Sequence, residues 1–381
     1  MISRMIFRNY PSHNESDDEP FHFSISRELL LDRNDVVVGE MIGEGAYSIV
    51  YKGLLRNQFP VAVKIMDPST TSAVTKAHKK TFQKEVLLLS KMKHDNIVKF
   101  VGACIEPQLI IVTELVEGGT LQRFMHSRPG PLDLKMSLSF ALDISRAMEF
   151  VHSNGIIHRD LNPRNLLVTG DLKHVKLADF GIAREETRGG MTCEAGTSKW
   201  MAPEVYSPEP LRVGEKKEYD HKADIYSFAI VLWQLVTNEE PFPDVPNSLF
   251  VPYLVSQGRR PILTKTPDVF VPIVESCWAQ DPDARPEFKE ISVMLTNLLR
   301  RMSSDSSIGT TLPDGEAYEG EMEESENSPL LQEHFCKVKK PKEKKKKKKL
   351  VKMRFPFFKK FKVWLYNYKP RPSDYKDDDD K

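Results

Sequence analysis

The sequence predicts an α+β fold in two lobes, a small β-rich N-lobe with one main helix and a larger, mainly helical C-lobe. Three observations carry this. Between residues 36 and 116 the apolar residues fall in short β-branched runs, with a single stretch at helical spacing among them. Beyond the Glu117-Gly118-Gly119 punctuation, helical spacing takes over. No internal repeat with a period of 20 to 50 residues runs through the chain, which excludes a solenoid or propeller.

Residues 1 to 35 open polar and acidic, with two prolines, and read as a flexible arm. VVVGEMI, SIVYKG and FPVAVKIM then read as three strands. In KAHKKTFQKEVLLLSKMK, Phe82, Val86, Leu89 and Met92 recur at helical spacing, which predicts the one N-lobe helix. IVKFVGACI and LIIVTELV complete the lobe as strands. In the second lobe SLSFALDISRAMEFVHSNG reads as a helix with Gly155 as its C-cap, followed by helices in DIYSFAIVLWQLVTN and EISVMLTNLLRRM. The globular region is thus expected over residues 36–300, followed by an acidic, serine-rich linker (301–336) and a basic, aromatic tail (337–370). DYKDDDDK at 374–381 resembles an engineered epitope tag and is set aside.

With 40% hydrophobic and 29% charged residues, the chain suits a globular body with a sizeable core. The tag's five Asp and two Lys account for −3, so the remainder carries +4 instead of the overall +1. Cys104, Cys193, Cys277 and Cys336 form no C-x-x-C pair, which argues against a disulfide framework and a zinc site and for a reducing, intracellular compartment. No apolar run reaches the roughly 20 residues of a membrane-spanning helix, and no signal h-region develops. A soluble, cytoplasmic body is expected.

The chemistry gathers in a few motifs. IGEGAYSIV offers Gly43 and Gly45 between two strands, where backbone without a Cβ can fold over phosphate oxygens. A dinucleotide site needs such glycines to open a helix; here a strand follows, and then VAVK ends on Lys64. Glycine loop, strand, turn and strand ending in lysine place an ammonium against nucleotide phosphates. Glu85, on the predicted helix, is its expected ion-pair partner. HRDLNPRN (158 to 165), DFG (179 to 181) and APE (202 to 204) then follow in order.

Together these motifs resemble the protein kinase fold across residues 36 to about 300. CWAQDPDARPEF, DIYSFAIVLW and GTSKWMAPE resemble the tyrosine-kinase-like group, and within it the plant Raf-like MAP kinase kinase kinases. The resemblance implies ATP and Mg2+ as cofactors and protein hydroxyls as substrates. It implies Asp160 as the base that orients the acceptor hydroxyl, with Asn165 and Asp179 as magnesium ligands. Ile42, Gly43, Glu44 and Gly45 would cover the phosphates, while Val50, Ala62 and Leu167 would sandwich the adenine. Thr113 would be the gatekeeper, and the backbone of Glu114 to Val116 would read the adenine edge. Arg159 would meet a phosphate on the activation segment, where Thr187 and Thr192 are candidate sites. Glu204 should pair with Arg285, and Asp224 should brace the catalytic loop.

Two positions depart from the family pattern. Ser48 stands where a third glycine is usual, which implies a stiffer loop. Asn162 stands where serine/threonine kinases carry a lysine, and a neutral amide cannot supply that charge to the transferring phosphate. Arg164 sits where tyrosine kinases carry a compensating arginine, so the loop is a hybrid. Thr197, in the GTSKW run, is serine/threonine-like. Serine/threonine specificity is the reading, with dual specificity and a nucleotide-binding scaffold as alternatives.

Residues 337 to 370 hold 16 basic and one acidic residue, and residues 303 to 334 hold nine acidic and no basic ones. Phe357, Phe358, Phe361, Trp364, Leu365 and Tyr368 share one helical face, with Pro356 suited to the first turn. Such a tail suits the cytoplasmic face of an anionic membrane. Nuclear import, nucleic-acid contact, or folding back on the acidic linker are the alternatives. Cys336 is either a palmitoylation site or an idle thiol.

Overall fold

The structure is a computed structural model that describes residues 21–45, 48–66, 76–185, 197–207 and 219–305. All fall within the first of two compact units, residues 1–312. The basic tail, most of the acidic linker, the tag, Thr187 and Thr192 lie outside the described residues.

The N-lobe is one antiparallel sheet in the order β1-β2-β3-β5-β4. Its strands are β1 (Val36–Glu44), β2 (Ser48–Leu55), β3 (Phe59–Met66), β4 (Phe100–Cys104) and β5 (Ile110–Glu114). Alternation explains the packing: Val61, Val63 and Ile65 on β3 join Val36, Cys104, Ile110 and Val112 in one apolar layer. Ala62 and Lys64 therefore project from the other face, toward the interlobe cleft. Across that face lies α1 (Lys76–Lys91), whose Phe82, Val86 and Leu89 are buried as their helical spacing predicts.

The flexible arm expected over residues 1 to 35 needs correcting from Phe21 onward. Phe21, Phe23 and Ile25 alternate with polar residues, so an extended chain turns all three to one side. Phe23 meets the ring of Phe82 edge-on at 5.9 Å, and the Ser24 N–H donates to Gln83 Oε1 at 2.6 Å. Leu31 N–H donates to Ala103 O at 2.8 Å beside the exposed flank of β4. Short-range polarity dominated the sequence reading, and it hid an apolar period of two.

In the C-lobe, α2 (Leu121–His126) is capped by Thr120, and α3 (Leu134–Ser153) by Asp133, whose carboxylate accepts the Met136 N–H at 2.9 Å. Gly155 takes φ +66° just past the end of α3, as a helix-terminating glycine should. Two short ribbons follow, β6 (Ile156–Ile157) with β9 (Arg184–Glu185) and β7 (Leu166–Val168) with β8 (Val175–Leu177). The central α4 (Lys222–Thr237) is buried from Ala223 to Thr237, which is why its sequence is apolar on every side. Around it pack α5 (Val251–Ser256), α6 (Val271–Cys277) and α7 (Phe288–Asp305). The last runs five residues past the boundary expected at 300. Among the described residues no helix is long and apolar enough to cross a membrane.

Phe23 is half-buried and gains an edge-to-face contact. Phe23→Ala should therefore destabilise the body by about 1–2 kcal/mol, read as a lower urea midpoint with an unchanged m-value.

Candidate active site

The catalytic loop hangs from one buried carboxylate. Asp224, 1% exposed on the first turn of α4, accepts the backbone N–H groups of His158 and Arg159, both at 2.8 Å. It also meets His152 Nε2 at 3.0 Å. Burial pushes its pKa up, but these donors outweigh burial and hold the carboxyl below its ordinary range. The bonds stabilise a costly backbone: Arg159 sits at φ +73°, a conformation non-glycine residues rarely adopt.

Asp160 follows at once. Its carboxylate accepts from Asn162 Nδ2, Asn165 Nδ2 and Thr197 Oγ1, each at 2.9 Å. Burial raises its pKa above the ordinary carboxylate value, and the Thr197 hydroxyl partly offsets this. Asn162 is 1% exposed and also accepts the Arg164 N–H at 3.0 Å, so it is an internal bracket of the loop. The guanidinium of Arg164 instead reaches Thr197 Oγ1 at 3.0 Å and brings a positive charge to the rim of the base.

Lys64 sits between two carboxylates, 2.6 Å from Glu85 and 3.0 Å from Asp179. Burial opposes its charge, yet Asp179 and Glu85 raise its pKa well above that of a free lysine. Lys64 in turn holds the Asp179 carboxyl below its ordinary value. Asp179 takes φ +61°, which turns its side chain toward Lys64. Gly181 makes this possible: a Cβ there would meet Asp179 Oδ1 at 3.1 Å, with Glu85 Oε2 and Lys64 Nζ at 3.6 and 3.7 Å. Phe180, 1% exposed, packs edge-on against the His158 ring at 5.1 Å and so ties this segment to the catalytic loop.

Register sets the cleft between the lobes. Gly43 pairs with Val50, Val50 with Lys64, and Ala62 with Thr113, so these residues converge at one end of the sheet. Ile42, Gly43 and Glu44 finish β1, and the Gly45 N–H donates to Ser48 O at 2.7 Å, closing the turn that Ser48 begins to leave. Glu114 N–H donates to Lys99 O at 2.9 Å, and the Glu114 carbonyl accepts the Thr113 hydroxyl at 3.3 Å. The Glu114 side chain is tied to Lys176 at 2.6 Å. Leu167, on β7, forms a β-bridge with Thr120. Gly118 permits this closeness, since a Cβ there would lie 2.4 Å from Val168 O.

Below, Arg285 forks onto Glu204 at 2.7 and 2.8 Å and donates to Ala279 O at 2.9 Å; its side chain is fully buried. Arg159 is held by Tyr219 Oη at 2.9 Å and by Ile182 O at 3.2 Å. Sequence reasoning missed Tyr219 and Lys176, because each acts through a partner far away in the chain, Arg159 and Glu114.

The donor set suits a hard cation. Asn165 spends its Nδ2 on Asp160, which leaves its carbonyl oxygen as an acceptor, and the Asp179 side chain is 50% exposed toward the cleft.

A glycine turn, a lysine clamped by two carboxylates and a half-buried aspartate across the cleft define a phosphotransferase of the protein-kinase class. The chain belongs to that family: the protein tyrosine and serine/threonine kinase model matches residues 36–295. It is 39% identical over 281 residues to the serine/threonine-protein kinase STY17 of Arabidopsis thaliana, covering 73% of this chain and 47% of that one. It is 36% identical over 277 residues to the serine/threonine/tyrosine-protein kinase HT1 of the same plant, covering 70% and 67%. Human mitogen-activated protein kinase kinase kinase 7 is 34% identical over 277 residues, covering 71% and 43%. The chain thus spans about half the length of the first of these relatives. These likenesses agree with the Raf-like, tyrosine-kinase-like branch.

Three outcomes test the site. Asp224→Ala strips the acceptor from two backbone amides and a histidine, and should cost about 3–5 kcal/mol in chemical denaturation. Asp160 must be ionised to accept a proton and its pKa is raised, so activity should fall on acidification at a pH above the ordinary carboxylate range. Thr197→Val removes a bond that favours the ionised form, so the acid limb of kcat against pH should move upward.

Proposed function

We propose that the chain is a serine/threonine kinase that transfers the γ-phosphoryl group of Mg-ATP to protein hydroxyls within a signalling cascade. The observation that carries this is the convergence of Asn162, Asn165, Thr197 and, through Thr197, Arg164 on Asp160. Bound Mg-ATP supplies the phosphoryl group and the cations that screen its oxygens. Asp160 takes the proton of the attacking hydroxyl as the oxygen–phosphorus bond forms and the bond to the departing diphosphate breaks. Asn165 and Asn162 fix the carboxylate so that it points at that proton. Lys64, steadied by Glu85, orients the phosphates, and Arg164 provides the charge that a lysine at 162 would otherwise bring.

Thr197 favours serine and threonine, since its bond to Asp160 shapes the floor where the acceptor side chain enters. Radiolabelled phosphate transfer followed by phosphoamino-acid analysis tests the reading. Asp160→Asn should lower the rate by about 10²–10⁴. Arg164→Ala should cost about 10², more than Asn162→Lys changes it in either direction. Phosphotyrosine alongside phosphoserine would favour dual specificity. Nucleotide binding with no label above the Asp160→Asn background would favour the scaffold.

The tail's charge, 16 basic residues against one acidic between 337 and 370, supports a second assignment: peripheral attachment at the cytoplasmic face of an anionic membrane. The full chain should co-sediment with phosphatidylserine vesicles and not with neutral ones, and salt should weaken the binding. Vesicle-independent behaviour, or nuclear accumulation that requires the same lysines, would point to the alternatives.

A further inference from the structure

Beneath the catalytic loop, at the junction of α3, α4 and α7, lies a second cluster that phosphoryl transfer does not use. His152 ends α3, His221 precedes α4, and Glu287 precedes α7. One ligand atom from each lies within 4.8 Å of those of the other two. The His152 side chain is 10% exposed; its Nε2 meets Asp224, while its Nδ1 is buried and has no hydrogen-bond partner. A buried ring nitrogen left in this way costs free energy that protein interiors normally avoid. The His221 ring stands edge-on to that of His152, with centroids 5.1 Å apart. His221 Nε2 lies 3.0 Å from Glu287 Oε2, whereas Glu287 Oε1 is held by Lys222 at 2.6 Å.

We propose that His152, His221 and Glu287 form a zinc site, with Nδ1 of His152 and one carboxylate oxygen of Glu287 among the ligand atoms. Two imidazoles and one carboxylate are a ligand set that Zn2+ favours, with a fourth position left to water. Imidazole nitrogen discriminates against Mg2+, which is reserved for oxygen ligands. His152 and Glu287 also have orienting partners. Asp224 engages the far nitrogen of His152, an arrangement that fixes the tautomer and raises ligand basicity, and Lys222 steadies the far oxygen of Glu287. The metal would take the place of the hydrogen bond between His221 and Glu287. Cysteine spacing argued against zinc, but these ligands lie 69 and 66 positions apart in the chain and only the fold assembles them. Because Asp224 also holds the His158 and Arg159 amides, zinc would lock the support of the catalytic loop to three helices at once.

The test uses the chelator-stripped full chain with ZnCl2 alone or MgCl2 alone, followed by calorimetric titration and thermal melting. Zinc should bind at about one per chain, and at a hundred-fold excess over Kd should raise the melting temperature by about 5 °C or more. Mg2+ should give no such shift. His221→Ala and Glu287→Gln, each compared with its own zinc-free melt, should weaken zinc binding at least ten-fold. His126→Ala, a surface histidine elsewhere, should leave it intact. Absence of a zinc-dependent shift in the wild-type chain, or an undiminished shift in both variants, would overturn the proposal. Since each readout is binding or stability, the result stands apart from whether the chain phosphorylates anything.

Discussion

Everything on the catalytic side of this molecule depends on one carboxylate that never touches the reaction. Asp224 is planted in the most apolar helix of the C-lobe, where an ionised group survives only because donors surround it. In return it fixes two consecutive amides of a loop whose backbone is held at positive φ. The hydrogen bonds from the His158 and Arg159 amides offset both the strain at Arg159 and the burial of Asp224. Asp160, one residue further on, inherits its position from that balance.

The hybrid loop illustrates how a missing charge can be recovered by geometry. Asn162 is not a lysine with its charge removed, because its amide is enclosed and serves Asp160, Arg164 and Thr197 as a bracket. The charge enters two residues later, on the longer Arg164, which approaches over Thr197 and not from within the loop. A guanidinium offers planar, directed donors where an ammonium offers a point charge.

Much of the fold was legible because its periods are clean. Strand β3 alternates, α1 repeats at 3.6 residues, and α4 is apolar all round because it is buried all round. The motif residues were readable for a related reason: short segments carry Lys64, Asp160, Asn165 and Asp179, and the chemistry requires those types. What escaped is non-local. Nothing near Tyr219 marks it as a support for Arg159, nor Lys176 as the partner of Glu114. The arm was misjudged because polar composition averages away an alternation of only three residues.

That arm changes how the domain's edge should be understood. Phe82, on which Phe23 rests, lies one turn before Glu85 on the same face of α1. The position of Glu85 against Lys64 is therefore shared between the sheet and a segment that precedes the family match at residue 36. A domain trimmed at that boundary would keep every catalytic group yet lose a wedge behind the helix that presents one of them.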